Sequence, residues 1–358
     1  MLYHLLYPLH VKFSGFNVFR YITFRTVLAI LSALLISFFL TPYVIRKFTE
    51  WKIKNRKRED VPERHAEKSE TPTMGGFVIL VSTIIPTLVW ADLKNEYIWL
   101  VTFAMLAFGA IGFMDDSRKL RNIKGKGISG KTKLLFQIFF ALLVSGFLYS
   151  MKDFNTHLTI PFFKNVILNI GLFYIPLCVF IIVASSNAVN LTDGLDGLAI
   201  GPVLTVCSTF LFFAYLVGNV IFAQYLQVFY VRGAGELTIL CGAMLGAGIG
   251  FLWYNTYPAE LFMGDTGSLS LGASLAVIAI IIKQEVLLAI VGGIFVMETF
   301  SVIIQVLSYK WRGKRVFMMA PIHHHFELKG WNEGKIVVRF WIISIILALI
   351  ALSTLKLR

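Results

Sequence analysis

Residues 21–45 read Tyr21-Ile-Thr-Phe-Arg-Thr-Val-Leu-Ala-Ile-Leu-Ser-Ala-Leu-Leu-Ile-Ser-Phe-Phe-Leu-Thr-Pro-Tyr-Val-Ile45, and Arg46-Lys47 follow directly. About 20 apolar residues suffice to cross the hydrocarbon core of a bilayer, and Arg25 is the one charge in this run. The run is too long for the apolar core of a cleaved signal, and it ends in cations rather than a small-residue cleavage site. It therefore reads as a retained span. Working outward, nine further apolar runs qualify: 75–91, 98–114, 134–150, 169–186, 197–217, 237–254, 267–282, 286–308 and 336–355. The expectation is an all-α polytopic membrane protein of about ten helices, with residues 1–358 forming one domain. The first twenty residues read as an interfacial segment.

Composition agrees. Of 358 residues, 57% are hydrophobic and 15% charged, and the mean hydropathy is +0.74. A soluble domain carries roughly 25% charged residues, so a cytosolic globule is excluded, and so is a disordered chain. The net charge of +13 points to anionic lipid or an anionic substrate; the hydropathy argues against nucleic acid. Cys178, Cys207 and Cys241 sit inside apolar runs without metal-ligand spacing and read as small buried residues.

Loops 46–74, 115–133, 187–196, 255–266 and 309–335 hold 22 Lys and Arg against nine on the other side. The positive-inside rule makes that side cytoplasmic and places both termini outside. Loops 187–196 and 255–266 contain no Lys or Arg, yet carry Asp193, Asp196, Glu260 and Asp265. Carboxylates and cations thus gather at one membrane edge, which suits a metal ion and a phosphate.

Asp115-Asp116 closes the third span. A carboxylate at a helix C-terminus opposes the dipole, and two adjacent acids repel, which can raise one pKa. Such a pair suits a general base and Mg2+; the plainer reading is a solvated loop start neutralised by Arg118 and Lys119. The segment Asn187-Ala-Val-Asn-Leu-Thr-Asp-Gly-Leu-Asp-Gly197 precedes the sixth span. Asp193 and Asp196 share a face if the helix starts there, and its N-terminus would then attract an anion; N-capping by Thr192 or Asp193 is the plainer reading.

Trp253-Tyr-Asn255-Thr-Tyr-Pro258-Ala-Glu-Leu-Phe262-Met-Gly264-Asp265-Thr-Gly267-Ser268 repeats this logic before the eighth span. Phe262 could stack on a base or anchor at the interface. In Pro321-Ile-His323-His324-His325-Phe-Glu327, successive helical side chains point about 100° apart; in an extended loop His323 and His325 would share a face. Zinc spacing is absent, so phosphate contact or acid–base work fits the histidines better than a metal site; the plainer reading is a basic surface loop. Lys68, Lys119 and Lys133, nearest the apolar boundaries, are the candidate phosphate ligands. Glu298 and Gln305 lie seven apart within the ninth span, as a functional acid or an interhelical hydrogen bond.

Thr71-Pro-Thr-Met-Gly-Gly76, Phe113-Met-Asp115-Asp116, the 187–197 segment, Met263-Gly-Asp265-Thr-Gly-Ser268 and the triple-histidine run resemble, in order and along essentially the whole chain, the phospho-N-acetylmuramoyl-pentapeptide transferase family. The Asp-Asp and Asn-x-x-Asp-Gly-x-Asp-Gly motifs are shared with the wider polyprenyl-phosphate N-acetylhexosamine-1-phosphate transferases; the histidine run narrows the resemblance to the muramoyl branch. It implies a bacterial inner-membrane enzyme that uses UDP-N-acetylmuramoyl-pentapeptide, undecaprenyl phosphate and Mg2+ to make lipid I and UMP, with a homodimer suggested. Asp265 would hold Mg2+, Asp115 would activate the lipid phosphate, and Asp116 would support metal or lysine. His324, flanked by His323 and His325, would contact the diphosphate. Lys68, Thr73, Lys119, Asn190, Asp193, Asp196, Asn255, Phe262 and Ser268 would line the uridine–diphosphate site, with Lys133 near the phosphates. Direct attack by the lipid phosphate is preferred to a phospho-aspartate. The rivals are a relative that transfers N-acetylglucosamine phosphate, a transporter with a site near the bilayer midplane, and a lipid-binding scaffold.

Overall fold

The computed structural model describes residues 2–51, 71–121, 127–152, 154–163 and 167–355. Each expected span is helical over most of its length, although the one expected from 169 starts as the end of a strand and a short 3-10 turn before its helix begins at Tyr174. In chain order the helices are α1 (Leu2–Leu6), α2 (Ile22–Glu50), α3 (Gly76–Trp90), α4 (Glu96–Arg121), α5 (Gly130–Ser150), α6 (Tyr174–Thr192) and α7 (Ile200–Val217). They continue as α8 (Val220–Leu226), α9 (Leu237–Asn255), α10 (Gly264–Ile281), α11 (Glu285–Val291), α12 (Gly293–Arg312), α13 (Ile322–Leu328) and α14 (Glu333–Ser353). A two-stranded hairpin, β1 (His157–Thr159) with β2 (Ile167–Asn169), is antiparallel, with Leu158 opposite Leu168. Among the described residues nine helices are long and apolar enough to cross a membrane, and α3 is a shorter apolar helix of 15 residues. The chain is an all-α polytopic membrane protein.

α10 forms the centre. Every residue from Asp265 to Ile281 is buried, as befits a helix without a polar face. Its small residues, Gly267, Ser268, Ser270, Gly272, Ala273, Ser274 and Ala276, let α3, α4 and α6 close around it. α9 packs along α2 and reaches the centre through α3 and α7. A side chain at Gly246 would come within 2.1 Å of the Ile30 carbonyl, the close approach that small residues permit in membranes. At the end remote from α10's N-terminus, the buried Arg25 pairs with Glu236 at 2.6 Å and lies 4.1 Å from the Tyr3 ring, which fastens the N-terminal helical turns to the bundle.

Three further boundaries differ from the sequence reading. The expected span 286–308 is two helices, broken at Gly292-Gly293, a pairing at which helices kink. α4 runs on to Arg121, so Asp115 and Asp116 are helical rather than at a loop start; Arg118, Lys119 and Arg121 occupy its last turn, where the dipole favours cations. α7 begins only at Ile200. Asp193 and Asp196 therefore lie in an irregular turn rather than on its first turn, and Gly197 at φ +74° leaves the right-handed helical region. The N-cap expected from Thr192 is absent, because its hydroxyl donates back to Ala188 O at 2.8 Å within α6.

Candidate active site

The site grows from the start of α10. Residues 72–76 pair with 262–263 through backbone: Phe262 N–H donates to Pro72 O (2.9 Å), Gly75 N–H to Phe262 O (2.8 Å) and Gly76 N–H to Met263 O (2.8 Å). This pairing leads the chain into Gly264 at φ +71°, a conformation that a side chain resists. A Cβ there would also lie 2.9 Å from Asp116 Oδ2 and 3.1 Å from Thr73 Oγ1, which places Thr73 at the α10 start.

The first N–H groups of a helix have no partner within it. Here α4 supplies one. Asp265 N–H donates to Asp116 Oδ1 at 3.2 Å, and Thr266 donates both N–H (3.0 Å) and Oγ1–H (2.8 Å) to Asp116 Oδ2. The approach is possible because Gly112, one turn earlier on α4, has no side chain: a Cβ would sit 2.2 Å from Asp265 O. Asp116 therefore caps α10 and neutralises its dipole, an employment that the sequence reading, which gave it to metal or lysine, did not anticipate.

Asp115 belongs to an ion cluster. Its Oδ1 accepts the Ile128 N–H at 2.6 Å, and its Oδ2 lies 2.7 Å from Lys119 Nζ and 3.7 Å from Lys133 Nζ. Lys119 also reaches Asp265 Oδ1 at 2.9 Å, and Lys133, from the first turn of α5, reaches Asp265 Oδ2 at 2.5 Å. Two ammonium groups thus bridge two carboxylates from different helices. They line a cleft of about 310 Å3 with Asn187 and Asn190 of α6. Gln137, one turn beyond Lys133 and buried, exchanges hydrogen bonds with Asn187 at 2.8 and 3.3 Å. The sequence reading passed over Gln137, although a lone amide in an apolar span is itself a signal.

The donor set suits Mg2+. Asp115, Asp116 and Asp265 stand against two lysines, leaving an excess of acid groups. Burial first, then the Asp265, Asp116 and Asp196 carboxylates, pushes the Asp193 carboxyl up to about 8. Among the described residues no three His, Cys, Asp or Glu side chains converge as a ready-made metal cage. Mg2+ needs none: it is ordinarily held by one or two carboxylates together with substrate phosphates.

The remaining sequence-predicted residues divide. Asn190 lines the cleft, and Phe262 is half-buried beside Thr73's segment. Asn255 is buried with both ends of its amide engaged: Oδ1 accepts Gly197 N–H (3.1 Å) and Nδ2 donates to Leu261 O (2.9 Å). Asp196 accepts Ala259 N–H at 3.0 Å, while its own N–H donates to Glu333 Oε1 at 2.9 Å. These side chains staple the 193–197 turn to the 256–262 segment. Glu333, at the start of α14, is a further member that sequence reading missed. Ser268 is fully buried and donates to Gly264 O at 3.0 Å, so it closes the first turn of α10 instead of facing a nucleotide. Lys68 lies outside the described residues.

The histidines are helical, on α13, and point apart. His323 is buried against Glu298, His324 Nδ1 lies 2.6 Å from Glu327 Oε2, and His325 Nδ1 accepts the Met318 N–H at 3.1 Å.

A bundle with carboxylates, lysines and amides collected in a cleft at one end is the frame of a membrane-embedded transferase, and the family model described as Glycosyl transferase family 4 matches residues 98–283. The chain is 61% identical to the phospho-N-acetylmuramoyl-pentapeptide-transferase of Syntrophus aciditrophicus (strain SB), 58% to that of Pelobacter propionicus and 56% to that of Geobacter sp. (strain M21), over the full length of both chains in each case. The chain belongs to the phospho-N-acetylmuramoyl-pentapeptide-transferase family.

Proposed function

We propose that this protein transfers phospho-N-acetylmuramoyl-pentapeptide from UDP-N-acetylmuramoyl-pentapeptide to undecaprenyl phosphate, giving lipid I and UMP, a membrane step of peptidoglycan synthesis. The observation that carries this reading is the Asp115–Lys119–Asp265–Lys133 cluster at the start of the central helix, in a chain aligned end to end with transferases of that name. The charge asymmetry of the loops supports a cytoplasmic position for this end, with both termini outside, and the family reading favours a bacterial inner membrane. There a nucleotide from the cytosol meets a phosphate carried by the bilayer.

In the reaction, an oxygen of the lipid phosphate bonds to the sugar-bearing phosphorus, and the bond from that phosphorus to the UMP oxygen breaks. Asp115 takes the proton when the lipid phosphate enters as the monoanion. Lys119 and Lys133 offset charge on the diphosphate, where preorganised cations act with little reorganisation. Asp265 would hold Mg2+, which supplies further charge neutralisation when bound. Phe262 offers a stacking face to uracil, and Thr73, Asn190 and Asp193 border the nucleotide. His324, with His325 beside it, is the diphosphate contact from α13.

The test is UMP release by purified protein in detergent with both substrates. Release that requires both substrates, stops on chelation, returns with Mg2+ and collapses in Asp265→Asn supports the reading. No release from folded wild type overturns it.

A further inference from the structure

α12 carries a polar stripe, Glu298, Ser301, Gln305 and Ser308, at the three- and four-residue spacing that aligns side chains on one helix face. Segment 314–325 lies along this stripe. Ser308 Oγ donates to Lys314 O at 2.9 Å. Gln305 Nε2 donates to Phe317 O at 2.9 Å, while its Oε1 accepts the N–H groups of Val316 (3.0 Å) and Phe317 (2.9 Å). Gln305 and Ser308 thus hold a strap of the same chain rather than a neighbouring membrane helix.

At the deep end of the stripe, Glu298 Oε2 lies 3.1 Å from His323 Nδ1, with the two side chains 0% and 1% exposed. By hydrogen-bond geometry neither Glu298 oxygen nor either His323 ring nitrogen has another partner among the described residues, so this 3.1 Å contact is the polar neighbour each buried side chain has in the other. The other edge of the same ring meets Gly194. A Cβ built there would lie 2.3 Å from His323 Nε2. Gly194 lies three residues beyond Leu191 of the cleft wall and two before Asp196, which is stapled to Ala259.

We propose that Glu298 is a positioning residue for the transfer: it fixes the His323 ring, the ring fixes the Gly194 backbone, and the 193–196 turn is thereby held at the cleft. The same contact sets the rotation of α13, and so the direction of His324. This inference rests on the transferase reading. It makes Glu298 act through His323 alone, without touching substrate.

The experiment compares Glu298→Gln, Glu298→Ala, His323→Ala and the Glu298→Ala/His323→Ala double variant with wild type in detergent. It measures kcat and KM by UMP release, together with hydrogen exchange of residues 194–196. Glu298→Ala and His323→Ala should each lower kcat by about tenfold or more, the scale seen when an orienting partner of a functional histidine is lost. The nucleotide KM should stay within about twofold, the pattern of a group that acts on the transition state. The double variant should be no slower than the slower single one, because a residue acting through another adds nothing once that other is gone. Glu298→Gln, which keeps shape and an acceptor oxygen, should recover part of the rate. Exchange at 194–196 should rise in both single alanine variants. Multiplying effects in the double variant, or unchanged exchange in Glu298→Ala, would overturn the positioning role. Absence of UMP release from wild type would instead overturn the transferase reading, and the exchange arm would still decide the contact.

Discussion

Asp116 and Thr266, 150 residues apart, are joined by two hydrogen bonds on one carboxylate oxygen, from the threonine N–H at 3.0 Å and its hydroxyl at 2.8 Å. Asp115, its neighbour on α4, points into the cluster of Lys119, Lys133 and Asp265. One adjacent pair of acids therefore does two jobs: one carboxylate builds the start of α10, and the other joins the ion cluster that lines the cleft.

Removing the builder should show in stability. Asp116→Ala leaves the first N–H groups of a buried helix without their acceptor, a loss of about 1–3 kcal/mol for bonds to a charged group. Its thermal midpoint in detergent should fall clearly below wild type. Asp265→Asn, whose backbone N–H still reaches Asp116, should lose activity with a smaller fall in midpoint. Equal midpoints for Asp116→Ala and wild type would remove the cap from the account.

Lys133 has a different signature. Its ammonium occupies Asp265 Oδ2 at 2.5 Å, the oxygen that a bound cation would share. Lys133→Met should lower kcat, because a positive charge lining the cleft is gone. It should also reduce the Mg2+ concentration for half-maximal activity by about tenfold, since a like charge a few ångströms away is worth more than 1 kcal/mol even at high effective dielectric. A Mg2+ titration of UMP release reads both effects, and a rise in the Mg2+ requirement would contradict the arrangement.

Phe262 should govern affinity more than rate. Stacking of a base on an aromatic ring is worth about 1–3 kcal/mol, so Phe262→Leu should raise the nucleotide KM roughly tenfold and leave kcat nearly unchanged, while Phe262→Tyr should stay close to wild type. Steady-state kinetics with varied nucleotide separates these cases from an interfacial anchor, whose loss would leave KM alone.

Asn255→Ala strands two buried backbone groups, the Gly197 N–H and the Leu261 carbonyl. Unmade buried hydrogen bonds cost about 1–3 kcal/mol each. A lower thermal midpoint with proteolysis focused on 193–197 and 256–262 is expected. Asn255→Asp, which retains an acceptor for Gly197, should be milder.

The membrane architecture was legible because a bilayer demands long apolar runs, and the sequence supplies them with few interruptions. The site motifs were legible as well, since Asp115, Lys119, Lys133 and Asp265 stand out as charges at the ends of those runs. What escaped was employment. Nothing in the spacing of Asp116 says that it caps a helix 150 residues away, because a cap recruited from another element leaves no local signature. Ser268 and Asn255 looked like ligand-facing polar residues, and folding turned them inward to close a turn and to staple two loops. The break at Gly292-Gly293 was visible in composition, but a hydropathy window averages across it. Glu333 was hidden for a related reason: a first-turn acid is so common on helices that its bond to Asp196 N–H has no distinguishing mark in sequence.

The total burial of α10 bears on how this protein could escape a competitive inhibitor. Asp265, Lys119 and Lys133 line the cleft and are tied to one another and to Asp115 beside the helix start, so a substitution that repels an inhibitor there also loosens the platform beneath it. Viable resistance changes should therefore accumulate on residues 314–320 of the strap and the outer face of α12, where contacts can be altered without unseating the centre.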